Sequence, residues 1–253
     1  MTIDSAADRS PRVRVLVAAH NEADRLGATL AALARAFPGA PVWVADDGSR
    51  DATAAVARSA GARVVRSERV IGKGGAVTAA AHAALRDAGS EDQAGAVFVL
   101  CDGDLADSAR ELGALADPVA RGEADLVIAA FATRVGGGLG LALGFARWAI
   151  HARCGLPTRA PISGQRALSG AALAHVLPFA SGYGMEIGMT IDAVRAGERV
   201  VELELDLSHR ASGRTLAGFL HRGRQLVDFA RVYRSRRVGR AGAHARNLAR
   251  PWT

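Results

Sequence analysis

Between residues 13 and 131 the chain alternates short β-branched runs with stretches whose apolar residues recur at helical spacing, and this rhythm restricts the fold more than any other feature. The strand candidates are VRVLVA (13–18), PVWVAD (41–46), ARVVRS (62–67), AVFVLC (96–101) and DLVIAAF (125–131). EADRLGATLAALARAF (22–37), RDATAAVARSAG (50–61), KGGAVTAAAHAALRDAG (73–89) and ARELGALADPVA (109–120) lie between them as helix candidates. Repeated β-α-β order predicts an α/β, Rossmann-like fold, a mainly parallel sheet with helices on both faces. With 253 residues and no internal repeat or linker, a single domain is expected. Ligands of such sheets bind outside the carboxyl ends of the strands.

Two of the strand candidates end at that edge in paired acids. VWVADDGSRDAT (42–53) closes with Asp46 and Asp47, and AVFVLCDGDLAD (96–107) with Asp102 and Asp104. A strand buried on both faces holds no charge along its length, so acids gather where it opens to a ligand. Two carboxylates one residue apart can face one hard cation such as Mg2+ or Mn2+, and the same tripeptide also serves as an Asx turn. Asp46-Asp47-Gly48-Ser49 suits the N–H of a base or a ribose hydroxyl, while Ser49 or Asp51 suits a helix N-cap.

Gly72-Lys73-Gly74-Gly75 opens a helix, where backbone N–H groups attract anions. Lys73 is the only lysine among 32 basic residues, a compact ammonium in a chain otherwise supplied with arginine. The segment lacks P-loop spacing, and GGGLGLALG lacks the dinucleotide fingerprint, which argues against kinases, ATPases and ordinary dehydrogenases.

The second half is less regular. RVGGGLG (134–140) leads to an amphipathic helix ending near 153; a loop with LPTRAPISG and GQRALSG follows, then a short helix AALAHVL. SGYGMEIGMTIDAVRAG forms a further helix, ERVVELELDLSH an edge strand, and TLAGFLHRGRQLVDFARVYRSRR a long helix with a basic end. Net charge is +7, and from His209 onward only Asp228 opposes the arginines. Such an end suits an anionic lipid surface or a phosphorylated substrate. Aromatics make up only 5% and form no stacking platform, so no nucleic-acid partner is expected. Two cysteines are too few for a disulfide framework. No apolar run is long enough to span a bilayer, and the acidic start lacks signal-peptide form. A cytoplasmic protein is expected, with peripheral contact at the inner membrane face through the basic end as an option.

Taken in order, VLVAAHNEAD, VWVADDGSRDAT, IGKGGA and VFVLCDGDLAD resemble the series N-E-x, D-D-G-S-x-D-x-T, G-K-G and D-x-D of the family 2 glycosyltransferases. SGYGMEIGMTID followed by LSHRASGR resembles the glucosyl-3-phosphoglycerate synthases. The resemblance implies a GT-A fold and transfer from a nucleotide-diphospho sugar, a UDP- or GDP-sugar, with Mg2+ or Mn2+. It implies that Ala19, Asn21, Glu22, Asp47, Lys73 and Asp102 line the nucleotide-sugar site, that Asp104 and His209 hold the metal, and that Glu186 is catalytic. In an inverting enzyme Glu186 would be the general base, and in a retaining one it would orient the sugar. Arg159, Gly164 and Arg166 are the acceptor-site candidates. TRAPISGQRAL has Arg159 in the region where polyprenyl-phosphate sugar transferases carry an Asp, and an arginine there favours an acceptor with a phosphate or carboxylate.

The expectation is therefore a metal-dependent glycosyltransferase with an anionic acceptor. Residues 1–11 are a flexible start, 12–132 the nucleotide-sugar half, 133–237 the acceptor half and 238–253 a basic tail. The alternatives are a polyprenyl-phosphate sugar transferase at the membrane face, a nucleotidyltransferase and a non-catalytic nucleotide-binding protein. The sequence leaves an oligomer open.

Overall fold

The computed structural model describes residues 12–131, 141–207 and 227–236. The expected flexible start, the RVGGGLG loop, His209 and the basic tail lie outside the described residues. The elements are β1 (Arg12–Ala19), α1 (Leu26–Ala36), β2 (Val42–Asp46), α2 (Thr53–Ser59), β3 (Arg63–Arg66), α3 (Lys73–Ala94) and β4 (Ala96–Asp102). They continue with α4 (Gly113–Ala120), β5 (Leu126–Phe131), α5 (Leu141–Cys154), β6 (Arg166–Ser169), α6 (Gly170–Val176), α7 (Met185–Ala196) and β7 (Val200–Leu205). Residues 227–235, within the expected long basic helix, form α8.

Seven strands build one sheet in the order β3-β2-β1-β4-β6-β5-β7, with β7 at an edge as its alternation predicts. Along the strands, successive residues face opposite layers. Leu16, Phe98, Leu100 and Ile128 pack with α3, α5 and α7, while Val15, Val17, Val99 and Val127 pack with α1 and α4. Each such side chain contributes about 1.5–3 kcal/mol on leaving water.

Two features of this sheet place the site. β1 pairs in parallel with β2 and β4, matching Ala19 with Asp46 and Ala18 with Asp102, so both acid pairs emerge at one edge. β6 runs antiparallel to both β4 and β5. Its first residues therefore lie at the carboxyl ends of its neighbours, and the loop before it, 155–165, reaches the same edge.

Two expected helices are reshaped. α1 starts at Leu26 rather than 22, because Asn21 takes φ 55° and the residues after it turn. The segment 109–120 is divided: Ala106–Leu112 is a 3-10 helix, tightened by the i→i+3 bond from Ser108 N to Leu105 O (3.2 Å), and α4 follows. Cys101 is buried and Cys154 half-buried, both as free thiols, and burial pushes the Cys101 thiol up. No helix among the described residues is long and apolar enough to cross a membrane.

Candidate active site

The loop after β1 is knitted to the loop after β2. Asn21 N donates to Ser49 Oγ (3.0 Å), Glu22 N to Thr53 Oγ1 (2.9 Å) and Ala23 N to Asp51 Oδ2 (3.2 Å). Ser49, Asp51 and Thr53, alternate residues of the second motif, thus take three consecutive N–H groups of the first. Asp51 also accepts the N–H of Thr53 (3.0 Å), and its bonds, that from the Thr53 hydroxyl first, hold its carboxyl below the usual range. Asn21 Oδ1 accepts from Arg50 N (2.8 Å), which turns its amide nitrogen toward His20 Nε2 (3.0 Å). His20 Nδ1 then carries the proton that meets Asp47 O (2.7 Å).

The two acids of the first pair do different work. Asp46 is fully buried; its Oδ1 accepts Ser49 N (2.9 Å), and Arg66 Nε lies 3.3 Å from Oδ2. Asp47 receives Ile71 N (2.7 Å) and Gly72 N (3.0 Å), so it fixes the turn that starts α3 and aims Lys73. The intervening Gly48 has φ 67°, and a Cβ there would lie 2.7 Å from Arg69 C, so only glycine suits both the backbone and the space.

At the centre Lys73 Nζ lies 2.6 Å from Asp102 Oδ1 and 2.7 Å from Glu186 Oε1. Burial alone would lower the ammonium's pKa, but the charges of Asp102 and Glu186, with their hydrogen bonds, outweigh it and raise it. Gln165 Nε2 donates to Asp102 Oδ2 (2.9 Å), so both oxygens of Asp102 are engaged. Gly164 closes over the pair: a Cβ there would stand 2.6 Å from both Lys73 Nζ and Asp102 Oδ2. The D-G-D turn is docked on β1 through Gly103 N and Ala18 O (2.8 Å), and Arg25 Nη1 donates to the main-chain oxygen of Asp104 (3.2 Å).

Not every candidate sits at the surface of the site. Arg166 is fully buried; it donates to Ser163 O (2.8 Å) and Thr190 Oγ1 (2.9 Å), and Thr190 in turn bonds the carbonyl of Glu186 (3.0 Å). Burial draws its guanidinium down to about 10 against the pull of Glu186 and Glu202. Arg159 is largely exposed, 3.7 Å from Glu202 and 3.9 Å from Glu204. The residues missed from sequence are Gln165, Glu202 and the Ser49–Asp51–Thr53 ladder. Of these only the ladder had a signal, its alternate spacing.

Among the described residues no three His, Cys, Asp or Glu side chains form a metal cluster. Asp102 and Asp104 nevertheless supply hard oxygen donors of the kind Mg2+ and Mn2+ prefer.

A parallel sheet with an acid-lined carboxyl edge, completed by an antiparallel strand that returns a loop to it, is the GT-A fold, and the enzyme class is that of nucleotide-sugar glycosyltransferases. The chain belongs to glycosyl transferase family 2, whose sequence model matches residues 14–150. Glucosyl-3-phosphoglycerate synthase from Mycobacterium tuberculosis is similar in structure. Its complex with Mn2+, UDP-glucose and phosphoglyceric acid is 26% identical with TM-score 0.68, covering 88% of this chain and 80% of that one. The complex of that synthase with Mg2+ and UDP is 28% identical with TM-score 0.69, covering 89% and 79%. Its complex with Mn2+, UDP-glucose and glycerol 3-phosphate is 27% identical with TM-score 0.68, covering 89% and 80%. A search of curated proteins by sequence found no match.

Gly164→Ala tests the closeness of the centre. The atoms its methyl would meet are ends of flexible side chains, so the fold survives while Lys73 and Asp102 are pushed aside. We expect kcat/KM to fall about 10- to 100-fold with the melting temperature changed by less than about 4 °C. Unaltered turnover would show that the pair tolerates displacement.

Proposed function

We propose that the chain transfers a hexose from a nucleotide-diphospho sugar, with Mg2+ or Mn2+, to a small acceptor that bears a phosphate or carboxylate. The observation that carries this reading is the meeting at Lys73. Asp102 from β4, Glu186 from α7 and the 164–165 turn of the loop before β6 converge on one ammonium. Donor edge, acceptor loop and catalytic helix thereby share a single point. The division into a nucleotide-sugar half, 12–132, and an acceptor half, 133–237, follows that meeting.

In this reading Ala19, Asn21 and Glu22 form one wall of the nucleotide site and Asp47 meets the base. Asp102 faces ribose and sugar, and Asp104, with His209, holds the cation. A bound divalent ion would neutralise the diphosphate and ease its departure. Lys73 adds a fixed positive charge beside it. Glu186, engaged by Lys73, suits an orienting carboxylate at the sugar. Arg159, largely exposed, would receive the acceptor's anionic group, while buried Arg166 supports the turn that carries Glu186.

UDP-glucose is the first donor to try, and phosphoglyceric acid and glycerol 3-phosphate the first acceptors, because the Mycobacterium tuberculosis enzyme binds them in its complexes. The membrane reading gains nothing from the described part of the basic end, where Arg231 pairs with Asp228 and Arg236 with Asp192. The test compares UDP- and GDP-glucose with the two phosphorylated acceptors and with glycerol, each with Mn2+, Mg2+ or a chelator. Metal-dependent product on a phosphorylated acceptor, at least about tenfold above glycerol, is expected. Equal transfer to glycerol, or full activity in the chelator, would refute the reading.

A further inference from the structure

Glu202 belongs to β7, in register with Ile128 of β5, which in turn pairs with Arg166 of β6. Its side chain is 15% exposed and meets three consecutive residues of the loop before β6. The Thr158 hydroxyl donates to Oε1, Arg159 N lies 3.0 and 2.9 Å from the two oxygens, and Ala160 N lies 3.0 Å from Oε1. The Arg159 guanidinium is drawn to the same carboxylate at 3.7 Å, too far for a hydrogen bond. From the other side Arg147 Nη2 donates to Arg159 O (2.9 Å).

The far end of this loop is equally fixed. Gln165 holds Asp102 (2.9 Å), and its carbonyl accepts Ala129 N (2.9 Å). Residues 160–164 therefore bridge two anchors, one in the donor site and the other Glu202. A carboxylate that gathers successive N–H groups makes strong charge-assisted bonds and leaves the backbone a single arrangement. Without it, two main-chain donors and a hydroxyl would need new partners, and Arg159 would lose its orientation.

We propose that Glu202 is the positioning residue of the acceptor subsite. It holds the 158–160 backbone and keeps the Arg159 guanidinium at the rim, loosely enough to be exchanged for the anionic group of the acceptor. The proposal rests on the acceptor reading given above. Its signature is a selective effect: acceptor recognition depends on Glu202, whereas donor recognition, built on Asp47, Asp102 and Asp104, does not.

The test uses Glu202→Gln, which retains one acceptor oxygen, and Glu202→Ala, which retains none, with Glu204→Gln as a control that removes only the contact at 3.9 Å to Arg159. Acceptor KM should rise about tenfold in Glu202→Ala and less in Glu202→Gln, with Glu204→Gln near wild type. The KM for the nucleotide sugar should stay within about twofold in all three. Amide hydrogen exchange at Arg159 and Ala160 should quicken about tenfold in Glu202→Ala. Unchanged acceptor KM, an equal rise in donor KM, or unchanged exchange at those amides would overturn the proposal. Kinetics are taken with the acceptor that wild-type protein uses. A wild-type enzyme that accepts only neutral acceptors refutes the anionic reading, and the split between acceptor and donor KM still decides the role of Glu202.

Discussion

Lys73→Ala is expected to lower the unfolding free energy by about 2–3 kcal/mol and kcat/KM by about 100- to 1000-fold. The wild-type ammonium stands between two carboxylates, at 2.6 and 2.7 Å. Removing one partner of a fully buried ion pair costs about 3–5 kcal/mol. Here the Asp102 side chain is 34% exposed and recovers part of that through water, whereas Glu186, 8% exposed, does not. The pH dependence has a definite sign. The folded-state pKa of Lys73 is raised, so its stabilisation is complete below the ordinary lysine value of 10.5 and is lost only as pH climbs through the folded value. The wild type should show no stability change from this group between about pH 6 and 9. Urea unfolding at both pH values, with turnover measured alongside, checks this. Wild-type stability and turnover in the variant would remove Lys73 from the centre of the site.

Asp104→Ala should abolish the metal-dependent part of donor binding while leaving the fold intact. Arg25 donates to the main-chain oxygen of Asp104, and that bond survives the substitution. A ligand at about a hundred times its Kd stabilises the native state by about 2.7 kcal/mol. In a chain of this length that is a rise of roughly 5–10 °C in melting temperature. Wild-type protein with UDP-glucose should show such a rise with Mn2+ and a much smaller one in a chelator. In Asp104→Ala the two conditions should coincide, and kcat should fall about 100-fold or more. If Mn2+ improved donor binding in the variant as much as in the wild type, the cation would be held elsewhere.

The two substitutions differ in how far sequence reasoning reached. Asp104 was singled out because a D-x-D at the end of an apolar run can offer two carboxylates to one hard cation, the role that the Mn2+ comparison tests. Lys73 stood out as the sole lysine, and the reason for it emerges only in three dimensions. Its ammonium fits between two carboxylates and beneath Gly164, where a Cβ would lie 2.6 Å from Nζ. There the single Nζ serves both carboxylates as a compact point donor. Ser49 and Asp51 looked like helix caps, yet together with Thr53 they chiefly hold the loop after β1. Local pattern did not reveal this because their partners lie 28 to 31 residues away in the chain. Arg166 looked like an acceptor ligand in a polar loop and is instead fully buried beneath it.

By itself the sequence determined the layered α/β architecture and the edge at which the acid pairs gather. Period-2 burial, helical spacing and acids at strand ends are local consequences of side-chain transfer from water, and each is readable within about ten residues. Only the tertiary structure decided which acids meet which cation, that β6 enters between β4 and β5 in reverse, and that Glu202 grips the loop before it. Those outcomes depend on strand order and register, which are set by the packing of whole layers and leave no local period in the chain.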